Sequence, residues 1–233
     1  MVGKLQNKVS GLKSLILLFL LALTAFKCDD ERPPQFEFMI FELPFTIIPG
    51  NEVIQMGDTL WITSSMADSI KEYHSDNFYK IENFNFNFSL GLFQLTGNQK
   101  SLGEQPGATT SFHFVQEIGT ITYFGETFSD FNLVYAQEKY LSRIGIIPQS
   151  LGVFSVNFLG PSELELNSVI DLGVTEDGRQ RIPVYEALFF IINEGNTNFD
   201  LFTENCLDTS TNPDNYREYY YIRKGTFTFR VVL

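Results

Sequence analysis

Histidine is the usual acid–base residue near neutral pH, and the sequence contains only His74 and His113. His74 lies in the polar stretch KEYHSDN, which is typical of an exposed loop. His113 alternates with apolar neighbours, which predicts a place on the outer face of a strand. The sequence has no G-x-S-x-G, H-E-x-x-H, P-loop or G-x-G-x-x-G motif. We therefore expect a protein that is not an enzyme.

Paired carboxylates offer another route to acid–base chemistry, as in glycoside hydrolysis. Glu163 and Glu165 lie two residues apart, and the strand period would place both on one face. The chain has 28 acidic residues, so close pairs also arise without a catalytic role, as neighbours on a solvated surface. A hydrolase with paired carboxylates is the least favoured of the functions that we consider.

Calcium prefers oxygen ligands, and Asp208, Asn212 and Asp214 supply them within the short loop DTSTNPDN. A second group of acidic residues lies in the turn at 171–177. Neither group has the EF-hand spacing, and Asp and Asn also stabilise turns through local backbone hydrogen bonds. Apart from calcium at such a loop we expect no cofactor, because one spare cysteine and two distant histidines make a poor zinc site.

Four tyrosines near the C-terminus cluster beside two arginines and a glutamate; they are Tyr216, Tyr219, Tyr220 and Tyr221. Flat aromatic faces next to polar groups suit the recognition of a glycan or a peptide. Three consecutive tyrosines in a strand would point to both of its faces, so at least one ring should face solvent. The alternative is a core residue on one side and an ordinary rim residue on the other.

Most of the chain after residue 34 has the period of two that is typical of strands. The clearest alternation runs over 84–92, where Phe and Leu interleave with Asn, Ser and Gly, and it predicts one buried and one solvated face. The apolar stretch 184–193 fits either a short helix or a buried strand. Further strands are predicted at 36–40, 59–63, 111–115, 119–124, 131–136, 141–147, 153–159 and 226–233.

These strands, with Gly, Pro and Asn between them, predict an all-β, mainly antiparallel β-sandwich with minor short helices. The segment 35–63 and the hairpin-like segments that follow resemble the Ig-like modules of bacterial surface proteins. That resemblance implies an Ig-like sandwich but no particular function. Residues 35–233 are predicted to form this globular domain, with Gly160-Pro161 as the candidate boundary if the domain divides in two.

The N-terminal segment differs in kind from the rest. It has a basic start and then a run of 13 almost wholly apolar residues, 14–26. A membrane-spanning helix needs roughly 20 apolar residues, so this run is too short to span a bilayer. A basic start followed by a short apolar run is the pattern of a secretory signal peptide, which we predict over residues 1–27.

Cys28 follows this segment directly, and three acidic residues, 29–31, follow the cysteine. Residues 23–25 resemble the small-residue box of bacterial lipoprotein signals, and the acidic run resembles the surface-export signal of Bacteroidota lipoproteins. The resemblance implies that Cys28 is acylated and that 28–34 form a tether, with Cys206 left as a buried, small apolar side chain. The residues themselves also allow a Cys28–Cys206 disulfide in an oxidising compartment, which would exclude acylation.

The net charge of the chain limits which partners it can bind. Removal of residues 1–27 takes away four lysines and no acidic residue, so the net charge falls from −12 to −16. Nucleic acid is a poor partner for such a surface, and anionic headgroups would repel it, so membrane attachment should come from the acyl anchor.

The favoured function is therefore a non-enzymatic envelope lipoprotein that binds or scaffolds a glycan or protein partner at the cell surface. We expect it in the outer membrane, surface-exposed or facing the periplasm. The alternative is a glycan-binding accessory lipoprotein of a nutrient-uptake system.

Overall fold

The computed structural model describes residues 32–97, 101–206 and 225–233. Within these ranges the chain forms fourteen strands, the short helix α1 (Phe199–Asn205) and 3-10 turns at Leu102–Glu104, Thr109–Ser111, Leu166–Ser168 and Asn193–Gly195. The strands are β1 (Gln35–Ile48), β2 (Val53–Gln55), β3 (Leu60–Ala67), β4 (Ser69–Lys71), β5 (Phe78–Lys80), β6 (Phe88–Leu95), β7 (Phe112–Ile118), β8 (Thr120–Phe124), β9 (Phe128–Asn132), β10 (Val134–Ala136), β11 (Lys139–Pro148), β12 (Gly152–Leu159), β13 (Arg181–Ile192) and β14 (Phe227–Val232).

Two six-stranded sheets and one hairpin account for these strands. The first sheet has the order β10-β11-β3-β1-β13, with β7 also paired to β11, and the second has the order β2-β14-β12-β6-β9-β8. Strands β4 and β5 pair only with each other. The all-β, mainly antiparallel sandwich with minor helices is thus confirmed, with one refinement: β2 pairs with β14 in parallel, so the second sheet is mixed.

The described chain divides into two compact units. The smaller unit takes the segment that ends at Gln35 and Gly173–Arg181; the larger takes Phe36–Leu172 and Ile182–Leu233. The residues on both sides of Gly160 belong to the larger unit. None of the helices in the described ranges is long and apolar enough to cross a lipid bilayer.

The centre of the larger unit is a cluster of phenylalanines from both sheets: Phe45, Phe88, Phe131, Phe158 and Phe190, here called the central Phe cluster. Phe45 of the first sheet lies 4.6 Å from Phe158 of the second, and Phe190 stacks on Phe158 at 5.2 Å between ring centroids. None of the five rings exceeds 3% exposure. Such contacts join the inner faces of the two sheets, as a sandwich requires.

Strand β1 has a strict inside and outside over most of its length. Met39, Phe41, Leu43, Phe45 and Ile47 all face the core, since each is buried. The alternate residues face outward, and that face includes the two aromatic residues of the predicted 36–40 strand, which are exposed. The strand prediction is therefore right, but its first phenylalanines lie on the outer face.

The alternation at 84–92 is only partly a strand. Strand β6 begins at Phe88, and residues 84–87 are not in a strand. Beyond that point both faces of β6 are buried, because Phe93 and Leu95 pack on the opposite side of the sheet against Phe202 of α1 and against Cys206. The predicted solvated face holds for Asn85 and Asn87, which are exposed, and is lost further along β6, where α1 covers Phe93 and Leu95.

The hairpin β8–β9 passes from one sheet to the other at both of its ends. Gly119 links β7 of the first sheet to β8 of the second, and Leu133 links β9 back to β10 of the first. Gly119 has φ +83°, and a Cβ there would lie 2.5 Å from the Asn132 carbonyl oxygen, so no larger residue fits. This double crossing leaves the sandwich open beside Asn132 and Leu133.

Candidate functional site

A pocket of about 250 Å³ lies at this opening and is here called the aromatic pocket. Its wall is the irregular segment 83–86, and its other sides come from the β9–β10 crossing at Asn132 and Leu133 and from Tyr135 and Tyr140. Two rings of the central Phe cluster, Phe88 and Phe131, also line it. The pocket lies wholly within the larger unit. Rings and side-chain amides therefore converge here from three separate parts of the chain.

The wall segment owes its shape to asparagines. Asn83 and Asn87 both have φ +47°, the left-handed region that asparagine tolerates better than most residues. The backbone N–H of Asn87 donates a hydrogen bond to the side-chain oxygen of Asn85 at 3.1 Å. These turns end the extended backbone before β6 begins, so Phe84 stays half-exposed at the pocket while Phe86 is buried beneath it.

Tyr140 fixes the wall to the sheet. Its hydroxyl donates to the carbonyl oxygen of Ile81 at 2.6 Å and accepts the N–H of Phe84 at 2.8 Å. Its ring packs edge-on against Phe86 at 5.1 Å. Burial raises the pKa of Tyr140, so this hydroxyl keeps its proton and both bonds at neutral pH.

Tyr135 stands at the rim, and its hydroxyl donates to the carboxylate of Asp68 at 2.8 Å. This hydrogen bond to an acceptor that is ionised raises the pKa of Tyr135 to about 12, with burial and the negative charge of Asp68 acting in the same direction. Asp68 itself is 5% exposed and is occupied by this contact. The pair therefore positions the Tyr135 ring.

The chemistry of the pocket follows from its lining. The lining residues are Phe, Tyr, Leu and Asn, with no carboxyl, amine, imidazole or thiol group among them. Asn83, Asn85 and Asn132 supply amides that can both donate and accept hydrogen bonds. Such a lining can bind an uncharged polar ligand with a flat apolar side, and its two phenol hydroxyls, those of Tyr135 and Tyr140, already hold hydrogen bonds within the protein.

A second pocket, of about 320 Å³, lies beside the β4–β5 hairpin and is lined partly by Glu42, Lys71 and Phe78. The Lys71 ammonium lies 2.7 Å from the Asp76 carboxylate and 3.3 Å from that of Glu42. The hydrogen bond to Asp76, with Glu42 adding to it, raises the pKa of Lys71. This pocket has a single lining carboxylate, so it too lacks the acidic pair of a glycosidase.

Glu72 is a buried carboxylate that the sequence did not single out. It accepts hydrogen bonds from the N–H of Ile40 at 3.2 Å and from the N–H and hydroxyl of Ser75, both at 2.7 Å. Burial acts to raise the pKa of Glu72, but these bonds outweigh it and hold that pKa below its usual value. Glu72 therefore stays charged and fastens the β4–β5 hairpin to β1.

Most of the residues singled out from the sequence lie outside the described residues. They are Cys28, the calcium candidates Asp208, Asn212 and Asp214, and the tyrosines Tyr216, Tyr219, Tyr220 and Tyr221. The lipidation, calcium and tyrosine predictions stay predictions. Cys206 is within the described part and is 0% exposed, as expected of a small apolar side chain.

The remaining candidates lie in the described part of the chain. His74 and His113 are exposed, as predicted, and Glu163 and Glu165 are exposed in an irregular segment rather than on a strand. Across 32–97, 101–206 and 225–233, no three His, Cys, Asp or Glu side chains come close enough to hold a metal ion.

Asp177, in the predicted acidic turn, forms its hydrogen bonds and ion pairs with residues of the smaller unit. The hydroxyl of Thr175 donates to its carboxylate at 2.5 Å, and Arg179 at 3.0 Å and Arg32 at 3.3 Å form ion pairs with it. The Thr175 bond, followed by the Arg179 contacts, lowers the pKa of Asp177 to about 2. The Asp177 carboxylate is thus paired with arginine side chains. A calcium ligand instead needs a carboxylate whose oxygens are free to bind the cation.

The aromatic pocket was missed because the Phe–Asn alternation at 84–88 was interpreted as a strand. Asparagine is enriched in turns and in the left-handed region, so its repetition at 83, 85 and 87 was the available signal. The contributions of Tyr135 and Tyr140 have no local signal, since they depend on the pairing of β10 with β11.

Comparisons with known proteins give no family. No protein-family model matches the chain, and no curated protein sequence matches it. Among solved structures, the chain is similar to the reeler domain of human F-spondin, with 8% identity and a TM-score of 0.30 over 59% of this chain and 87% of that one. A TM-score of this size does not establish a shared fold, so the likeness carries no function to this chain.

Proposed function

We propose that this protein is a non-enzymatic envelope lipoprotein, anchored through an acylated Cys28, whose β-sandwich binds a partner outside the cytoplasm. The short apolar segment 14–26 followed by Cys28 supports the anchor. The observation that carries the binding role is the aromatic pocket, a preformed concave site lined by aromatic rings, a leucine and side-chain amides. We propose the outer membrane as its location, surface-exposed or facing the periplasm.

The anchor is tested by mass spectrometry of the mature N-terminus and by fractionation of the Cys28→Ala variant. We expect a lipid-modified Cys28 in the native protein and release of the variant to the soluble fraction. Cys206→Ala is the matched control, because Cys206 is buried and should leave membrane association unchanged. A native protein that keeps residues 1–27, or a bridge between Cys28 and Cys206, would contradict the anchor.

The second candidate function is glycan binding, as in an accessory lipoprotein of a nutrient-uptake system. The lining of the aromatic pocket favours it, because aromatic faces pack on the apolar side of a sugar ring while amides exchange hydrogen bonds with hydroxyls. The volume of about 250 Å³ lies below the roughly 300–1,000 Å³ typical of drug-sized ligands, so one terminal sugar unit fits better than a chain.

Glycan-array screening and calorimetry of the purified soluble domain test this candidate. Loss of one stacking face in Phe84→Ala should weaken binding of any glycan hit by roughly tenfold, by analogy with the loss of a buried aromatic contact. Tyr220→Ala tests the tyrosine cluster in the same assay. Binding that is sensitive only to Tyr220→Ala would move the site away from the pocket, and no binding to any glycan would remove this candidate.

A further inference from the structure

The outer face of β1 carries two exposed aromatic rings at its start. Phe36 is 57% exposed and Phe38 is 63% exposed, and alternate positions in a strand place both on the same side. The next residue on that side, Ile40, is 2% exposed and is held by Glu72 and by the N–H of Tyr73. The exposed surface, here called the Phe36–Phe38 face, is therefore confined to the beginning of the strand.

Two observations bear on what covers this face. The inward residues of β1 begin to be buried at Met39, so the strand enters the core just after the face ends. Phenylalanine has no polar group that would favour water, and two neighbouring exposed rings are more costly than scattered ones.

We propose that the Phe36–Phe38 face inserts into the interfacial region of the membrane to which Cys28 is attached. The inference rests on the proposed lipid anchor and goes beyond it, because it assigns a surface of the folded domain to the bilayer. The domain is then held in one orientation instead of moving freely on its tether.

The length of the chain between anchor and face supports a lipid occupant. Eight residues lead from Cys28 to Phe36, and a fully extended chain of that length spans at most roughly 29 Å. An acylated Cys28 therefore holds Phe36 within roughly 29 Å of the attachment point in the bilayer. A free partner would have to compete with this permanently local surface.

The charge of the chain also bears on the occupant. With a net charge of −16 after removal of 1–27, the domain gains nothing from anionic headgroups. Contact with the bilayer must come from apolar side chains, and aromatic rings are favoured at the membrane–water interface.

Tryptophan reporters test the proposal in the full-length lipidated protein reconstituted into phosphatidylcholine vesicles. Trp61 is the only tryptophan and is replaced by phenylalanine, so that Phe36→Trp and Phe38→Trp each carry a single reporter. Phe78→Trp is the matched control, because Phe78 is 65% exposed but lies fifty residues along the chain from Cys28. Quenching by bromine-labelled lipid is measured, with vesicle flotation as a check on anchoring.

The expected result is a blue shift and roughly a twofold loss of emission at positions 36 and 38, with no change at position 78. Flotation without quenching at 36 and 38 would overturn the inference and leave the lipid anchor intact. Equal quenching at all three positions, or a shift that depends on protein concentration without vesicles, would also overturn it, in favour of non-specific adsorption or self-association. Failure to float would instead refute the proposed anchor, and the inference with it.

Discussion

The central Phe cluster and the aromatic pocket are both rich in phenylalanine, but the rings fill space in the cluster and border open space in the pocket. In the central Phe cluster, rings from both sheets fill the space between them, and Phe158 contacts Phe45 and Phe190 across it. In the aromatic pocket, Phe84 and Tyr135 line about 250 Å³ of open space beside a sheet crossing, at the edge of the cluster where Phe88 and Phe131 also line the pocket. Aromatic content alone therefore does not mark a core; what decides is whether a facing sheet supplies the matching side chains.

The two regions also differ in how their backbones are held. Regular strands carry every residue of the central Phe cluster. The pocket wall is held instead by left-handed asparagines and by the bonds of a single hydroxyl, that of Tyr140. We therefore expect substitutions in the central Phe cluster to lower mainly the free energy of unfolding, and substitutions in the pocket wall to weaken mainly ligand binding.

Phe158→Ala should have the largest effect. Phe158 is 0% exposed, and its removal leaves a cavity between the two sheets, at a cost of about 3–5 kcal/mol in the free energy of unfolding. Urea unfolding followed by circular dichroism measures it. The exposed Phe78→Ala is the control and should stay within about 0.5 kcal/mol of the parent. Equal effects would show that the cluster has no special role.

Tyr140→Phe should come next, at about 1–3 kcal/mol. The ring is kept, but the Ile81 carbonyl and the Phe84 N–H lose the hydroxyl that joins them. The same unfolding assay applies, and ligand binding at the pocket should weaken together with stability. Tyr123→Phe, at a 61% exposed position, serves as the control. An unchanged unfolding midpoint would mean that the wall does not depend on this hydroxyl.

The left-handed asparagines should have a smaller effect that depends on the replacement. Asn87→Ala places a Cβ-bearing residue at φ +47° and should cost about 1 kcal/mol, whereas Asn87→Gly should be close to neutral. Comparison of the two variants isolates backbone conformation from the loss of the side chain. If both variants destabilise the protein equally, the amide and not the φ angle shapes the wall.

The dependence of stability on alkaline pH should be the smallest effect. The pKa of Tyr135 is about 12 because of its bond to Asp68, and that of Tyr185 is about 12 because of burial. Each folded pKa lies above the ordinary tyrosine value of 10.0, so the folded state keeps a proton that the unfolded state loses between pH 10 and 12. Stability should therefore fall as pH rises through this window.

Tyr135→Phe separates the rim tyrosine from the others, since it removes the contribution of Tyr135 and leaves those of Tyr185 and Tyr140, whose pKa values burial also raises. Unfolding between pH 9 and 12, with tyrosinate absorbance as a second readout, should show a shallower decline for the variant. An identical decline would place the effect on the two buried tyrosines, and a rise in stability with pH would contradict the hydrogen bond to Asp68.

Much of the fold could be predicted from the sequence. The period of two predicted the strands β11, β12 and β14. The stretch 184–193 fitted either a helix or a strand, and it lies largely within β13. The errors have two causes. At 84–87 the alternation belongs to turns that asparagine favours and not to a strand, and at the far end of β6 which face is covered depends on partners distant in sequence.

The candidate site was far less predictable. The tyrosine and calcium candidates were chosen by composition and lie outside the described residues, while the aromatic pocket combines segments around positions 84, 132 and 140. Only the asparagines of its wall had a local signal, in their preference for turns.

The sequence by itself determined the strand character of the chain, the exposed histidines and the short apolar N-terminal segment, because each depends on residues close together along the chain. The tertiary structure alone decided that β6 is buried on both faces, that Phe36 and Phe38 face outward, and that rings and amides meet at a pocket. Burial and convergence are properties of sheet pairing and of the elements that cover each face, and one-dimensional periodicity does not contain them.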